Sequence, residues 1–478
     1  MRQHTLARKL ALAIAVLAAG CCVPIRTMPG ASYREGTLRG TLVDAEYYPA
    51  DCNYHAIAQV SDGTVYYVLN SHNVNYGARM FRYDPKTGAV TMIGDLTDVL
   101  GYNRREVVNQ GKVHCDLYEH QGKLYFGTHC GTYEAEGLRR YPGGHYMSYD
   151  LASGRFEDLG MGVEENGMVS MSMDRQRGRL YMMGWPNAEF GYYDLASRQI
   201  KRLGRSVVFT PEEYMARQGL EQSNTTAKPE AARRAEDSYE TRIRTIHVPR
   251  SLGLDPTTGD VYFHNANGTI ARYHYAADAI EQVPDVTFDR PIFKIPLPSD
   301  VGTHWRSIRW NDAMQRFYGV MYYSDYLFSF DPKTREIEVL DRISAGPNRR
   351  SGQTSYSSLA FELSSDGRTV YYIAQQDLKS VGGPDRTELH VVTYDIPLRR
   401  YIDRGIIELA DGRRPRYCQG LEIGKDGHLY LVCWIDVTDL QSERGRRILK
   451  AQGGDRPAED KDKPVTEVNL VVVRDPLR

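Results

Sequence analysis

KVHCDLYEHQGKLYFGTHC, residues 112–130, and HYMSYDLASGRFEDLG, residues 145–160, together set the fold. Read in order they give a short strand, a Gln-Gly turn, an apolar Gly-x-Leu-Tyr strand and a loop. A third strand then ends in Tyr-Asp, and a Ser-Gly turn leads to a last, more polar strand. Asp-Gly, Gln-Gly and Thr-Gly pairs between apolar runs are hairpin signals, because glycine accepts the positive φ that such turns require. Six further stretches repeat the unit. They begin near Tyr54 (DGTVYYVLN), Gly167 (RGRLYMMGW) and Pro249 (TTGDVYFHN), then near Trp305 (MQRFYGVMYY), Tyr356 (DGRTVYYIAQQ) and Tyr417 (DGHLYLVCW). Seven tandem units of about four short strands each predict an all-β protein, a seven-bladed β-propeller occupying 31–478. The segment Thr37 to Val43 precedes the first unit. It is expected to supply an outer strand to the last blade, beside Val468 to Val473, so that no sheet edge stays open.

Two insertions interrupt the repeat. Thr210-Pro-Glu-Glu213 carries a capping threonine, proline at the first helical position and glutamate three on, so 211–245 is expected to hold a short helical excursion. The stretch 442–464 is rich in Arg, Lys, Asp and Gly and reads as a loop.

The first 21 residues stand apart. Arg2, Arg8 and Lys9 precede a short apolar run, then Ala18, Ala19, Gly20 and Cys21. That is a secretory signal, too short for a comfortable membrane span. Leu17-Ala-Ala-Gly-Cys21 resembles the lipobox of bacterial lipoproteins. The resemblance implies acylation of Cys21, export, and membrane contact only through that lipid; plain secretion is the alternative. Cys52, Cys115, Cys130, Cys418 and Cys433 remain in the body. Cys115/Cys130 and Cys418/Cys433 share one spacing, which fits either two cross-strand disulfides or one buried position repeated.

The chain has a net charge of -1, without the basic excess of a nucleic-acid binder. Aligning the repeats places the start of each first strand and the end of each second strand on one face of the disc. The starts are His55, His114, Ser170, Arg250, Arg306, Ser358 and Gln419. The ends are Asn70, His129, Trp185, Ala266, Tyr322, Gln375 and Trp434, with His145 and His72 close by. One face is thus expected to gather imidazoles, guanidinium groups and aromatic rings while the core positions stay apolar. Imidazoles move protons near neutrality. Guanidinium forks fit carboxylates, and aromatic rings stack on sugars. The set suits β-elimination of a uronate-containing polysaccharide. His72, Trp185, Arg306, Gln375 and Trp434 are the expected substrate-binding residues. Scarcity of Asp and Glu on that face, Glu189 aside, argues against a glycosidase.

The stretches GKVHCDLYEHQGKLYFGTH, YPGGHYMSYDLASGRFEDLG and RGRLYMMGWP resemble bacterial seven-bladed propellers of the ulvan lyase type, and more distantly oligogalacturonate lyases. The first resemblance implies a catalytic histidine pair at His129 and His145, Arg250 on the substrate carboxylate, and a tyrosine. Blade 3 has Trp185-Pro-Asn-Ala-Glu189 where that tyrosine is expected, so Tyr322 and Tyr239 are its stand-ins. The second resemblance implies a divalent metal on His55, His114 and Gln419. The alternatives to a lyase acting on an acidic glycan are a non-catalytic glycan- or protein-binding propeller and a metal-dependent hydrolase.

Overall fold

The computed structural model describes residues 32–33, 36–132, 139–206, 248–265, 268–288, 305–322, 324–353, 357–378, 386–452 and 464–478. Residues 1–31, the insertion at 211–245 and Tyr239 lie outside them.

The strands form seven blades. Blades 1, 3, 4 and 5 are separate antiparallel four-stranded sheets, running from Ile57 to Asp95, Gly167 to Arg205, Gly253 to Thr287 and Trp305 to Arg342. Blade 2 has its innermost strand in two pieces, Lys112–Val113 and Tyr118–His120, which pair with opposite ends of Lys123–His129. Blade 6 runs from Phe361–Leu363 to Arg400–Leu409. Blade 7 consists of Pro415–Ile423, His428–Asp436, Thr466–Arg474 and, as its outer strand, Thr37–Val43. The ring closes as expected: Gly40 sits opposite Val473 and Val43 opposite Leu470 in antiparallel register. The same strand also pairs in parallel with the outer strand of blade 6, Thr37 opposite Ile406, so blades 6 and 7 form one continuous sheet.

Blades stack face to face, which buries a middle strand on both sides. Alternation disappears there. Val65–Leu69 (VYYVL) is buried throughout, whereas the outer strand Gln199–Arg205 is not. Apolar clusters fill each gap between blades. One joins blades 7 and 1 through Tyr430, Val432 and Leu470 against Ile57, Tyr67 and Phe81, so the last interface is packed like the others.

The Tyr-Asp turns have a physical cause. Asp84 accepts from the Lys86 N–H at 2.9 Å, Asp150 from Ser153 at 2.7 Å, and Asp331 from Lys333 at 2.9 Å. An aspartate at the turn's first position satisfies backbone donors that leave the ladder. Gly88 and Gly154 then take φ of 73° and 69°.

One expectation fails. The stretch read as a loop from residue 442 begins with a helix, Glu443–Ala451. Ser442 caps it, its hydroxyl accepting from the Gly445 N–H at 3.0 Å. Arg444 on this helix pairs with Asp44, just past the closing strand, and with Glu467 of blade 7. Arg444, one of the charged residues that suggested a loop, makes this docking.

All five body cysteines are buried, and no disulfide joins them. Cys418 and Cys433 face each other on neighbouring strands of blade 7. Cys115 instead meets the backbone of Gly127, and Cys130 lies beside His129 and the Thr132 carbonyl. The shared spacing is therefore not a shared bridge.

Candidate functional site: an arginine-lined cavity at the mouth of the ring

A cavity of about 580 Å³ opens where the innermost strands begin. Its described walls come from five blades. They include Tyr54 of blade 1, Arg250 of blade 4, Arg306 of blade 5, Gln375 of blade 6, and Arg416, Tyr417, Gln419 and Trp434 of blade 7. Three guanidinium groups line it, and no carboxylate side chain stands among the described lining.

Each group is held from behind. Arg250 Nη1 lies 2.9 Å from His114 Nε2, and the His114 ring stacks on Tyr54 with centroids 3.9 Å apart. Arg306 is almost wholly buried. It donates to the Tyr417 hydroxyl at 3.2 Å, and its guanidinium sits 4.7 Å over the ring of Tyr322. Arg416 donates to Asp436 at 3.2 Å. Tyr417 and Trp434 pack with centroids 5.0 Å apart, offering an aromatic wall. Gln375 donates to Asp377 at 3.0 Å.

The histidines are placed differently from expectation. His129 is fully buried, near His114 (5.5 Å between centroids) and Trp185 (5.7 Å), with Nδ1 3.0 Å from Cys130 Sγ. It faces blade 3, its ring against Gly167. His145 bonds through Nε2 to the Tyr102 hydroxyl at 2.8 Å and through Nδ1 to Asp158 at 2.9 Å. Tyr102 belongs to the connection leaving blade 1. The two histidines thus point to opposite faces of blade 2, and neither is among the cavity's lining. They do not form the expected pair. Burial first, and the Arg250 cation second, hold His114 well below the usual imidazole range. Burial, then Lys112, does the same for His129. Both rings are neutral at pH 7.

Each residue of the expected metal set has another partner. His114 Nε2 faces a guanidinium, the wrong neighbour for a metal cation. Gln419 Oε1 accepts the Asn53 N–H at 3.1 Å. His55 Nδ1 lies 3.8 Å from Asp116, and burial pushes its pKa down to about 3 against that carboxylate's pull.

His72, expected on the substrate side, bonds to Asp51 at 2.9 Å through Nδ1 and approaches the Tyr54 hydroxyl at 3.4 Å through Nε2. Tyr54 was missed in the sequence because it precedes its strand and so falls outside the aligned positions.

Further along the same innermost strands the charge reverses. Asp116, Glu362 and Glu422 converge there, with Arg309 donating to Glu362 at 2.6 Å and to Asp116 at 3.1 Å. Burial, then the Glu362 carboxylate, push Glu422 up to about 8.

These features define a seven-bladed β-propeller with a cationic, aromatic-walled mouth above an acidic interior. No family model and no curated protein matches the chain. Among solved structures it is similar to a protein from Lactobacillus plantarum at 10% identity and TM-score 0.46, covering 85% of this chain and 98% of that one. It is likewise similar to the Cps50 (Swd1) β-propeller domain of Myceliophteria thermophila at 10% identity and TM-score 0.46, covering 82% and 96%.

Proposed function

We propose that this chain is an exported polysaccharide lyase, lipid-anchored through Cys21, that cleaves a uronate-containing glycan by β-elimination. The observation that carries the reading is the cavity whose described lining includes Arg250, Arg306 and Arg416 but no carboxylate side chain. A charge-assisted fork to a carboxylate contributes about 1.5–3 kcal/mol, and more specificity than a lone ammonium. A uronate in this cavity sets its carboxylate on a guanidinium, which makes the adjacent C5 proton more acidic. Its ring lies along Tyr417 and Trp434. The Tyr54 hydroxyl on the cavity wall serves as the acid–base group: ionised, its oxygen takes the C5 proton, the C4–C5 double bond forms as the C4–O4 bond breaks, and the re-formed hydroxyl gives that proton to the departing O4. Arg250 keeps the role expected of it, while Tyr54 replaces His129, His145 and Tyr322 at the reacting atoms.

A second reading, a glycan-binding propeller without turnover, is favoured by the burial of His114 and His129 behind the wall. One panel of acidic and neutral polysaccharides separates the two. Ultraviolet absorbance of unsaturated uronides from an acidic member supports the lyase. Retention on acidic polysaccharide without that absorbance supports the binder. Retention on neutral glycans alone overturns the lyase and leaves the binder, and retention on none overturns both.

A further inference from the structure

Asp51, Cys52 and His72 place one ligand atom each within 4.8 Å of one another, the only such grouping of three His, Cys, Asp or Glu side chains among the described residues. We propose that they bind a divalent transition-metal ion of the zinc class at the rim of blade 1.

The distances fit. Cys52 Sγ lies 3.5 Å from His72 Nδ1, and His72 Nδ1 lies 2.9 Å from Asp51 Oδ1. Tetrahedral zinc with bonds of about 2.0–2.3 Å separates its ligands by roughly 3.3–3.6 Å. Two of the three separations thus lie within a few tenths of an ångström of that spacing, and the third, between Asp51 and Cys52, is at most 4.8 Å. The donors are also pre-aimed. The His72 backbone N–H bonds both carboxylate oxygens of Asp51, at 3.2 and 3.1 Å. A β-bridge ties Cys52 to Asn70, two residues before His72, and the Asn70 side chain is clamped onto the backbone of Val113.

The competing reading is a Cys-His-Asp nucleophile, and the ring nitrogens exclude it. Such a triad sets the thiol on one imidazole nitrogen and the carboxylate on the other. Here the thiol and the carboxylate both face Nδ1, as groups sharing one cation do. The thiol is fully buried, so it offers no surface to a substrate. Nε2 faces the Tyr54 hydroxyl at 3.4 Å. That is the outer hydrogen bond that fixes the ring of a metal-bound histidine. Asp51 and His72 each keep 37% of their side-chain surface, which leaves a route in for an ion. Binding replaces the Cys52 thiol proton, which leaves to solvent, with a sulfur–metal bond. Because Tyr54 lines the cavity and stacks on His114, the ion would stiffen one wall of the mouth. The proposal does not depend on the glycan reading.

The test uses the purified protein, stripped with chelator, reloaded with zinc or cobalt and dialysed. Expected are stoichiometric retained zinc and, with cobalt, a thiolate-to-metal charge-transfer band in the near ultraviolet. Cys52→Ala should abolish the band, and Asp51→Asn should weaken zinc about tenfold or more, whereas Cys115→Ala keeps both. Asp51→Asn carries the comparison if Cys52→Ala fails to fold. Absence of retained zinc in the wild type, a charge-transfer band surviving Cys52→Ala, or unchanged zinc affinity in Asp51→Asn would each overturn the site.

Discussion

At the residue scale, the mouth and the interior of the ring place opposite charges on the same innermost strands. Arg250 is the cation most directly backed by a neutral imidazole, His114. Arg250→Ala should lower affinity for an acidic glycan by about 10- to 100-fold, the equivalent of one charge-assisted contact. Circular dichroism of the variant should be unchanged, and binding to neutral glycans should not move. Deeper in, Glu422 supplies a pH signature. Its pKa rises from 4.5 to about 8 on folding. Below pH 4.5 both folded and unfolded chains carry its proton. Between 4.5 and 8 only the folded chain does, so its contribution destabilises increasingly as pH rises and then levels off. Glu422→Gln should flatten the fall in melting temperature across that window, removing at most about 1.4 kcal/mol per pH unit. Glu362, Asp116, Arg309, Lys425 and His55 surround the site, and Glu362, itself pushed up by burial, keeps its own share of the slope. A variant whose melting temperature tracks the wild type across the window would refute the assignment.

At the element scale, strand pairing decides which residues meet. Residues directly opposite on antiparallel strands have Cα atoms about 4.5–5.5 Å apart, within the span a disulfide bridges. Cys418 and Cys433 satisfy that condition, and Cys115 and Cys130 do not share it. Mild oxidation of the folded protein should remove two titratable thiols and yield one crosslinked peptide joining 418 to 433. A crosslink between 115 and 130 would contradict the structure. The blade repeat was readable because each strand and turn is encoded locally, by Tyr-Asp turns and apolar middle strands. Side-chain direction was not, because one extra residue reverses it. Blade 2 shows this. Its third strand shifts register between Gly143 and His145, and its first strand breaks between Val113 and Tyr118. His145 sits at the first of these shifts and bonds the Tyr102 hydroxyl. Blades 5 and 7 also shift register, at Arg306 and at Gln419, and there Arg250, Arg306, Gln375, Gln419 and Trp434 line one cavity.

At the scale of the molecule, the closing strand carries the largest structural consequence. A Cβ on Gly40 would meet Val471 at 2.9 Å and Leu409 at 3.3 Å, inside the joint between blades 6 and 7. Gly40→Val should cost about 1–3 kcal/mol by overpacking, read as a lowered denaturation midpoint with little change in m-value. The closing strand itself was legible, since an orphan apolar strand at the start of seven repeats has one vacant place to go. Its second, parallel pairing with blade 6 was not, because that depends on how the two outer edges converge in space. The helix from Glu443 to Ala451 was hidden by a composition typical of loops and revealed only by its pairing with Asp44 and Glu467. This clasp also imposes an order on folding. Blade 7 takes one strand from before blade 1 and three from after blade 6, so it cannot assemble until Thr466–Arg474 has been made. Blades 1 to 6 can condense one after another, but the seam must wait for that strand, and the entropic cost of joining such distant segments falls on the step that closes the ring.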